Sequence, residues 1–212
     1  MPTVDFTLYL ITDRRQVPPG RTLIDVVRAA CEGGVRAVQL REKDLTADEL
    51  FPLALELRAL TRQYGARLLI NDRIDLALAV EADGVHLGGH SLPTTAARSI
   101  LGPERLIGVS AHSLEEIAEA SRNGADFVTF GPVYSTPSKT AYGKPAGLDL
   151  LGAACGGSHL PVFALGGITP ERVGGVVAAG AGGVALISAI VAEAEPSEAA
   201  RTFISLLEKA GH

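Results

Sequence analysis

The sequence predicts a single α/β domain, residues 1–212, folded as a (β/α)8 TIM barrel, and three observations carry that expectation. Eight short apolar runs alternate with helical stretches, and runs that are apolar throughout read as parallel strands buried on both faces. One junction recurs: residues 31–38 read C-E-G-G-V-R-A-V, 81–87 E-A-D-G-V-H-L, 123–130 N-G-A-D-F-V-T-F and 179–187 A-G-A-G-G-V-A-L-I. Each is a helix stop followed at once by a strand, so one βα unit repeats along the chain. An open doubly wound sheet is the competing architecture, but the first strand-to-helix turn lacks its glycine-rich dinucleotide fingerprint.

The first strand is read over residues 6–12, ending in a polar loop of Asp13, Arg14 and Arg15 before Pro18, Pro19 and Gly20. Thr22 is placed to cap a helix whose Leu23, Val26, Val27 and Ala30 share one face, and Gly33 and Gly34 stop it. Residues 35–40 form the second strand. Thr46, with Glu49 three residues on, is a capping-box signature for a long helix to about Tyr64, with Pro52 near its first turn and Gly65 at its end. Residues 67–70 are the third strand, followed by a helix over residues 73–80. The remaining strands are 84–87, 106–110, 126–131, 161–165 and 183–187, with about eight helices in all. Ser113 followed by Glu116, and Thr169 followed by Arg172, open two of those helices.

Composition excludes several classes of function. Hydrophobic residues make up 47% and charged residues 20%, and no apolar run reaches the roughly 18 residues a membrane span requires. Residues 1–5 lack the features of a secretory signal, so a soluble, cytoplasmic chain with no membrane partner is expected. A net charge of −5 without any Lys/Arg run argues against a nucleic-acid surface. Cys31 and Cys155 lie in helical segments without metal-ligand spacing and read as buried, reduced thiols. The sequence leaves room for a homo-oligomer.

The chemistry of such a barrel sits at the C-terminal ends of its strands. There V-Q-L-R-E-K places Gln39, Arg41 and Lys43 two apart, so an amide and two cations share one face, for which an anion is the simplest partner and an edge strand with a solvated face the plain alternative. The third strand ends in Asn71, Asp72 and Arg73, and the fourth leads to His90 and Ser91. The fifth ends in Ser110 and His112, and the sixth in Thr136, Ser138 and Lys139. Arg41, Lys43 and Lys139 beside Asp72 suggest a polyphosphate carrying a divalent metal; the plain alternative makes Asp72 or Asn71 a helix N-cap. Gly166, Gly167 and Ser188, read at helix starts after strands seven and eight, offer backbone amides to a second phosphate. Their plain alternative is a tight turn. His86, inside a strand, reads as a packed core histidine. Two anion sites point to two phosphorylated small-molecule substrates.

Collinear motifs then carry a resemblance: L-Y-L-I-T-D, Q-L-R-E-K, I-N-D-R-I-D-L-A, A-D-G-V-H-L-G, I-G-V-S-A-H-S, G-A-D-F-V-T-F-G-P-V-Y-S-T-P-S-K, A-L-G-G-I-T and I-S-A-I. The chain resembles the family of thiamine phosphate synthases and thiazole tautomerases over nearly its whole length. The resemblance implies a transferase that joins an aminopyrimidine methyl pyrophosphate to hydroxyethylthiazole phosphate with Mg2+. It implies that Gln39 faces the pyrimidine, that Arg41, Lys43, Asn71 and Lys139 hold the pyrophosphate, and that Ser110 lies at the leaving oxygens. Thr136 and Ser138, with the backbone of Gly167 and Ser188, would take the thiazole phosphate, and Asp72 the metal. Ser91 stands where the synthases carry a second metal carboxylate, and Pro132 where a tautomerase carries a histidine. The alternatives are therefore a tautomerase or a non-catalytic barrel that binds a thiamine-related phosphate.

Overall fold

The computed structural model describes residues 2–136 and 145–211; Ser138 and Lys139 lie outside them. The eight expected runs become β1 (Leu8–Ile11), β2 (Ala37–Leu40), β3 (Arg67–Asn71), β4 (Gly84–Leu87), β5 (Leu106–Ala111), β6 (Phe127–Phe130), β7 (Val162–Leu165) and β8 (Gly183–Leu186). They are parallel and hydrogen-bonded in sequence order, and β8 closes on β1 through Leu8 opposite Val184. This is the (β/α)8 barrel. Several strands start later than expected because hydrophobicity reports burial rather than pairing: Phe6 and Val35 are buried ahead of their ladders.

Around the barrel run α1 (Leu23–Glu32), α2 (Ala47–Gln63), α3 (Ile74–Ala79), α4 (Thr94–Leu101), α5 (Leu114–Arg122), α6 (Gly147–Gly156), α7 (Val173–Ala178), α8 (Ser188–Val191) and α9 (Pro196–Lys209). Among the described residues that is one more α-helix than expected, because a short α8 intervenes between β8 and α9. Thr22, Thr46 and Ser113 open their helices as read: the Glu49 carboxylate accepts from the Thr46 N–H, and Ser113 Oγ accepts from the Glu116 N–H. Pro52 stands inside α2, just beyond its first turn. Among the described residues no helix is long and apolar enough to cross a membrane.

Alternation along each strand sorts side chains into two cores. Leu8, Leu10, Val38, Leu40, Leu68, Ile70 and Val85 point outward and pack under the helices. Phe6, Tyr9, Ile11, Ala37, Leu69, Leu106, Phe127, Phe163 and Ala185 fill the barrel itself. The interior is aromatic low in the barrel, where the Phe127 ring lies 5.6 Å from Phe6 and 5.4 Å from Phe163. Cys31 is buried and its thiol is pushed up to about 11 by desolvation, whereas Cys155, expected buried, is partly exposed; both are free thiols.

The repeated A-D junction has a structural cause. Asp83 and Asp126 stand just ahead of β4 and β6, and each backbone N–H bonds the preceding strand, to Leu68 and Ile107 respectively. Each carboxylate then accepts the N–H of that same residue, at 2.8 and 2.7 Å, and pairs with an arginine, Arg58 or Arg98. One short motif thus caps a strand edge, pairs a largely buried carboxylate and links it to the preceding strand.

Candidate active site

The inward positions change from aromatic to polar toward the C-terminal ends of β2 to β6. Gln39, His86 and Thr129 are buried there, with Ser110 partly exposed. Gln39 Nε2 donates to the Tyr9 hydroxyl at 3.1 Å, and that hydroxyl lies 3.4 Å from His86 Nδ1. On the far side of the ring, His86 Nε2 lies 3.0 Å from Ser110 Oγ and 3.4 Å from Thr129 Oγ1. Asn71 is the register partner of His86. His86 is therefore a core residue, as read, but one that joins five strands in a polar layer. Tyr9 and Thr129 went unnoticed in the sequence because each sits in an apolar run; only their shared inward parity with Gln39 could have marked them.

Desolvation, and secondarily the Arg41 guanidinium, lowers the His86 pKa from 6.5 to about 3. The folded chain thus keeps the ring neutral where the unfolded chain takes up a proton, so stability is fully present above about pH 6.5 and is lost as pH falls toward 3. Urea titrations through that window are expected to show an acid slope approaching about 1.4 kcal/mol per pH unit from this group. His86→Gln should flatten it, and an unchanged slope would assign acid sensitivity elsewhere.

The cations gather above this layer. Arg41 is held by its N–H on Thr12 Oγ1 at 2.9 Å. Lys43 is close enough to Arg41 and Asp72 for both to act on its ammonium, whose pKa is lowered by desolvation first, then by Arg41, with Asp72 opposing. β2 ends at Leu40, so Lys43 belongs to the following turn rather than to the strand face on which it was expected. Glu42, unremarked in the sequence, explains why the cluster stays cationic. Its carboxylate is buried and accepts from the Arg14 N–H at 3.1 Å and from the Arg14 guanidinium at 3.2 Å. Arg14 also grips Asp44, through bonds of 2.7 and 2.6 Å. Both acids of this loop are thereby paired away from Arg41 and Lys43.

Asp72 does not cap α3. The N-cap position is Arg73, without a side-chain cap bond, and Asp72 sits in the left-handed region at φ 66 with its N–H on the His86 carbonyl at 2.9 Å. That region is uncommon outside glycine, though aspartate enters it more readily than most residues, and here it leaves the carboxylate exposed at the barrel mouth. Ser91 is tied into its own loop: its Oγ accepts the Gly88 N–H at 2.8 Å. Among the described residues no three His, Cys, Asp or Glu side chains converge on a metal position. Asp72 is an exposed carboxylate of the kind that could serve a hard cation completed by ligand oxygens and water.

On the opposite side of the mouth a cavity of about 1050 Å³ is lined by Thr136, Gly166, Gly167 and Ser188, and runs out past Phe203 of α9. Ser188 opens α8, as expected. Gly166 and Gly167 do not start a helix: the turn Pro170–Arg172 follows, and α7 only after it. Both glycines have positive φ, 98 and 64, and a Cβ on Gly167 would lie 2.8 Å from the Ser135 carbonyl. Arg172 locks this turn, donating to the Gly167 carbonyl at 2.5 Å and stacking over Tyr134 at 4.3 Å. The tight-turn reading of these glycines thus holds alongside any ligand role. Gly167→Ala is expected to cost about 1–2 kcal/mol through backbone strain alone. It should also displace the loop carrying Thr136, to be read as a lower melting temperature.

The mouth thus carries the cations Arg41 and Lys43 beyond β2 and a glycine-lined cavity beyond β7 and β8, on a closed barrel of the (β/α)8 class. Comparison with known proteins narrows that class. A sequence profile described as thiamine monophosphate synthase matches residues 8–190, and the chain belongs to that family. A Geobacter sulfurreducens relative is 58% identical over 207 residues, covering 98% of this chain and 97% of its own. The thiamine-phosphate synthase of Moorella thermoacetica is 43% identical over 210 residues, 99% of each chain. The structure of a thiamine phosphate pyrophosphorylase from Pyrococcus furiosus superposes with a TM-score of 0.88 at 36% identity, covering 97% of both chains.

Proposed function

We propose that this chain is a thiamine phosphate synthase, joining an aminopyrimidine methyl pyrophosphate to hydroxyethylthiazole phosphate to give thiamine phosphate and pyrophosphate. The observation that supports the reading is the placement of Arg41 and Lys43 on one side of the mouth and of the Gly166, Gly167 and Ser188 backbone on the other, with a buried polar layer between them. In the reaction the bond between the pyrimidine methylene carbon and the pyrophosphate oxygen breaks, and its electron pair leaves with the pyrophosphate. The thiazole nitrogen then supplies its lone pair to form the new carbon–nitrogen bond. No side chain need act as nucleophile; the protein orients the two partners and stabilises the charge that develops on the departing oxygens.

Arg41, Lys43 and Asn71 take the pyrophosphate side, with Lys139, and Ser110 donates to the leaving oxygens. Gln39 faces the pyrimidine. Thr136, Ser138 and the backbone at Gly167 and Ser188 take the thiazole phosphate. Magnesium, when bound, neutralises pyrophosphate charge, and Asp72 is the residue that would hold it.

The test is turnover of purified protein with both substrates against magnesium concentration, for the natural chain and for Ser91→Asp. A metal held by one protein carboxylate depends on substrate oxygens for the rest. The natural chain should therefore need high magnesium, and Ser91→Asp should lower the half-saturating concentration by on the order of 10-fold. No turnover by the natural chain at any magnesium concentration would end the proposal.

A further inference from the structure

We infer that Tyr9 and His86 are positioning residues that fix the direction of the hydrogen bond at Ser110, making its hydroxyl a donor toward the bound substrate. The inference rests on the proposed place of Ser110 at the leaving oxygens and deepens it.

The Tyr9 hydroxyl is fully buried and already receives a hydrogen bond from Gln39 Nε2 at 3.1 Å. A buried hydroxyl must also place its own proton, and the acceptor beside it is His86 Nδ1 at 3.4 Å. Tyr9 therefore donates to Nδ1, which must be the unprotonated nitrogen of a neutral ring. The proton of that ring then resides on Nε2, whose nearest partner is Ser110 Oγ at 3.0 Å. Thr129 Oγ1 lies farther off, at 3.4 Å. With Nε2–H donating into Ser110 Oγ, the serine's own proton is turned away from the ring.

Ser110 is partly exposed at the mouth end of β5, so the direction left for that proton is toward the ligand. A donor aimed beforehand at an oxygen that gains charge stabilises the transition state more than the ground state. The opposite tautomer would have Ser110 donate to His86 and present only lone pairs to an anion, which is repulsive. Gln39 is oriented by the same chain: with Nε2 committed to Tyr9, its carbonyl is left to accept from a ligand amino group.

The surrounding fold holds the ring for this task. His86 packs 5.7 Å from the Tyr9 ring and 5.9 Å from the Phe127 ring. Opposite it in the β4–β5 register stands Gly108, where an added Cβ would lie 2.6 Å from His86 Nδ1. The absent side chain opens the slot in which the imidazole lies, so the ring is constrained in orientation as well as tautomer.

The first measurement is 15N NMR of histidine-labelled protein without substrate, with the His86 signals assigned by their loss in His86→Gln. The expected result is the neutral Nε2–H tautomer; the Nδ1–H tautomer, or a protonated ring at neutral pH, overturns the inference. The second is Tyr9→Phe, which keeps the ring and removes only the hydroxyl. It should give mixed tautomers at His86 and a kcat lower by about 10-fold, with KM for the thiazole phosphate within about two-fold. An unchanged kcat in a folded Tyr9→Phe protein likewise overturns it. The NMR result needs neither substrate nor turnover, so it separates failure of the relay from failure of the synthase reading.

Discussion

Arg41→Ala is expected to lower kcat/KM for the pyrimidine pyrophosphate by about 10²–10³-fold while leaving KM for the thiazole phosphate nearly unchanged. The guanidinium belongs to a preorganised cluster. Its backbone is held on Thr12, the neighbouring Glu42 is consumed by Arg14, and Lys43 stands close enough to feel its charge. Glu42 and Asp44 are paired with Arg14, so Arg41→Ala removes one of the two described cations of this cluster and leaves Lys43 facing Asp72. Initial rates with each substrate varied in turn, and a melting curve confirming the fold, would check this. Equal losses for both substrates, or none, would move the pyrophosphate away from β2. Glu42→Gln offers a contrasting case: it frees part of Arg14 without touching the anion-facing charges, so its effect should be smaller.

Asp126→Ala should cost about 3–5 kcal/mol of unfolding free energy, the range for breaking a buried pair by removing one partner. The Asp126 side chain is 3% exposed, accepts from Arg98 at 2.6 Å, and satisfies the Ile107 N–H. Without it a β5 backbone donor is orphaned, and Arg98 keeps only carbonyl partners at Gly102, Arg105 and Gly124. Asp83 uses the same device with Arg58 and Leu68, but its side chain is 18% exposed, so water can repair part of the loss and Asp83→Ala should cost less. Urea unfolding of both variants tests the ordering; a larger effect at Asp83 would mean that burial does not govern this motif.

Local chemistry and periodicity were enough to read the barrel, its eight strands and most helix starts, because the signals lie within a few residues of one another. Continuous apolar runs report strands covered on both faces, and a capping threonine or serine needs only its own next turn. The candidate residues at strand ends were legible for the same reason: Gln39, Arg41, Asn71 and Ser110 are polar where each run stops. Strand edges were less legible, since Phe6 and Val35 are buried by packing without belonging to a ladder.

Long-range partners were beyond that reach. That Asp72 adopts φ 66 and leaves α3 uncapped, that Glu42 is spent on Arg14, 28 residues away, and that Ser91 closes on Gly88 are outcomes of how separate loops meet above the barrel. The chain from Gln39 through Tyr9 and His86 to Ser110 joins four strands. It exists only because closure of the sheet turns alternate residues inward at one height. Composition and spacing specify which side chains a strand can offer; the stagger of a closed barrel specifies which of them face one another, and the direction of each hydrogen bond follows from that meeting.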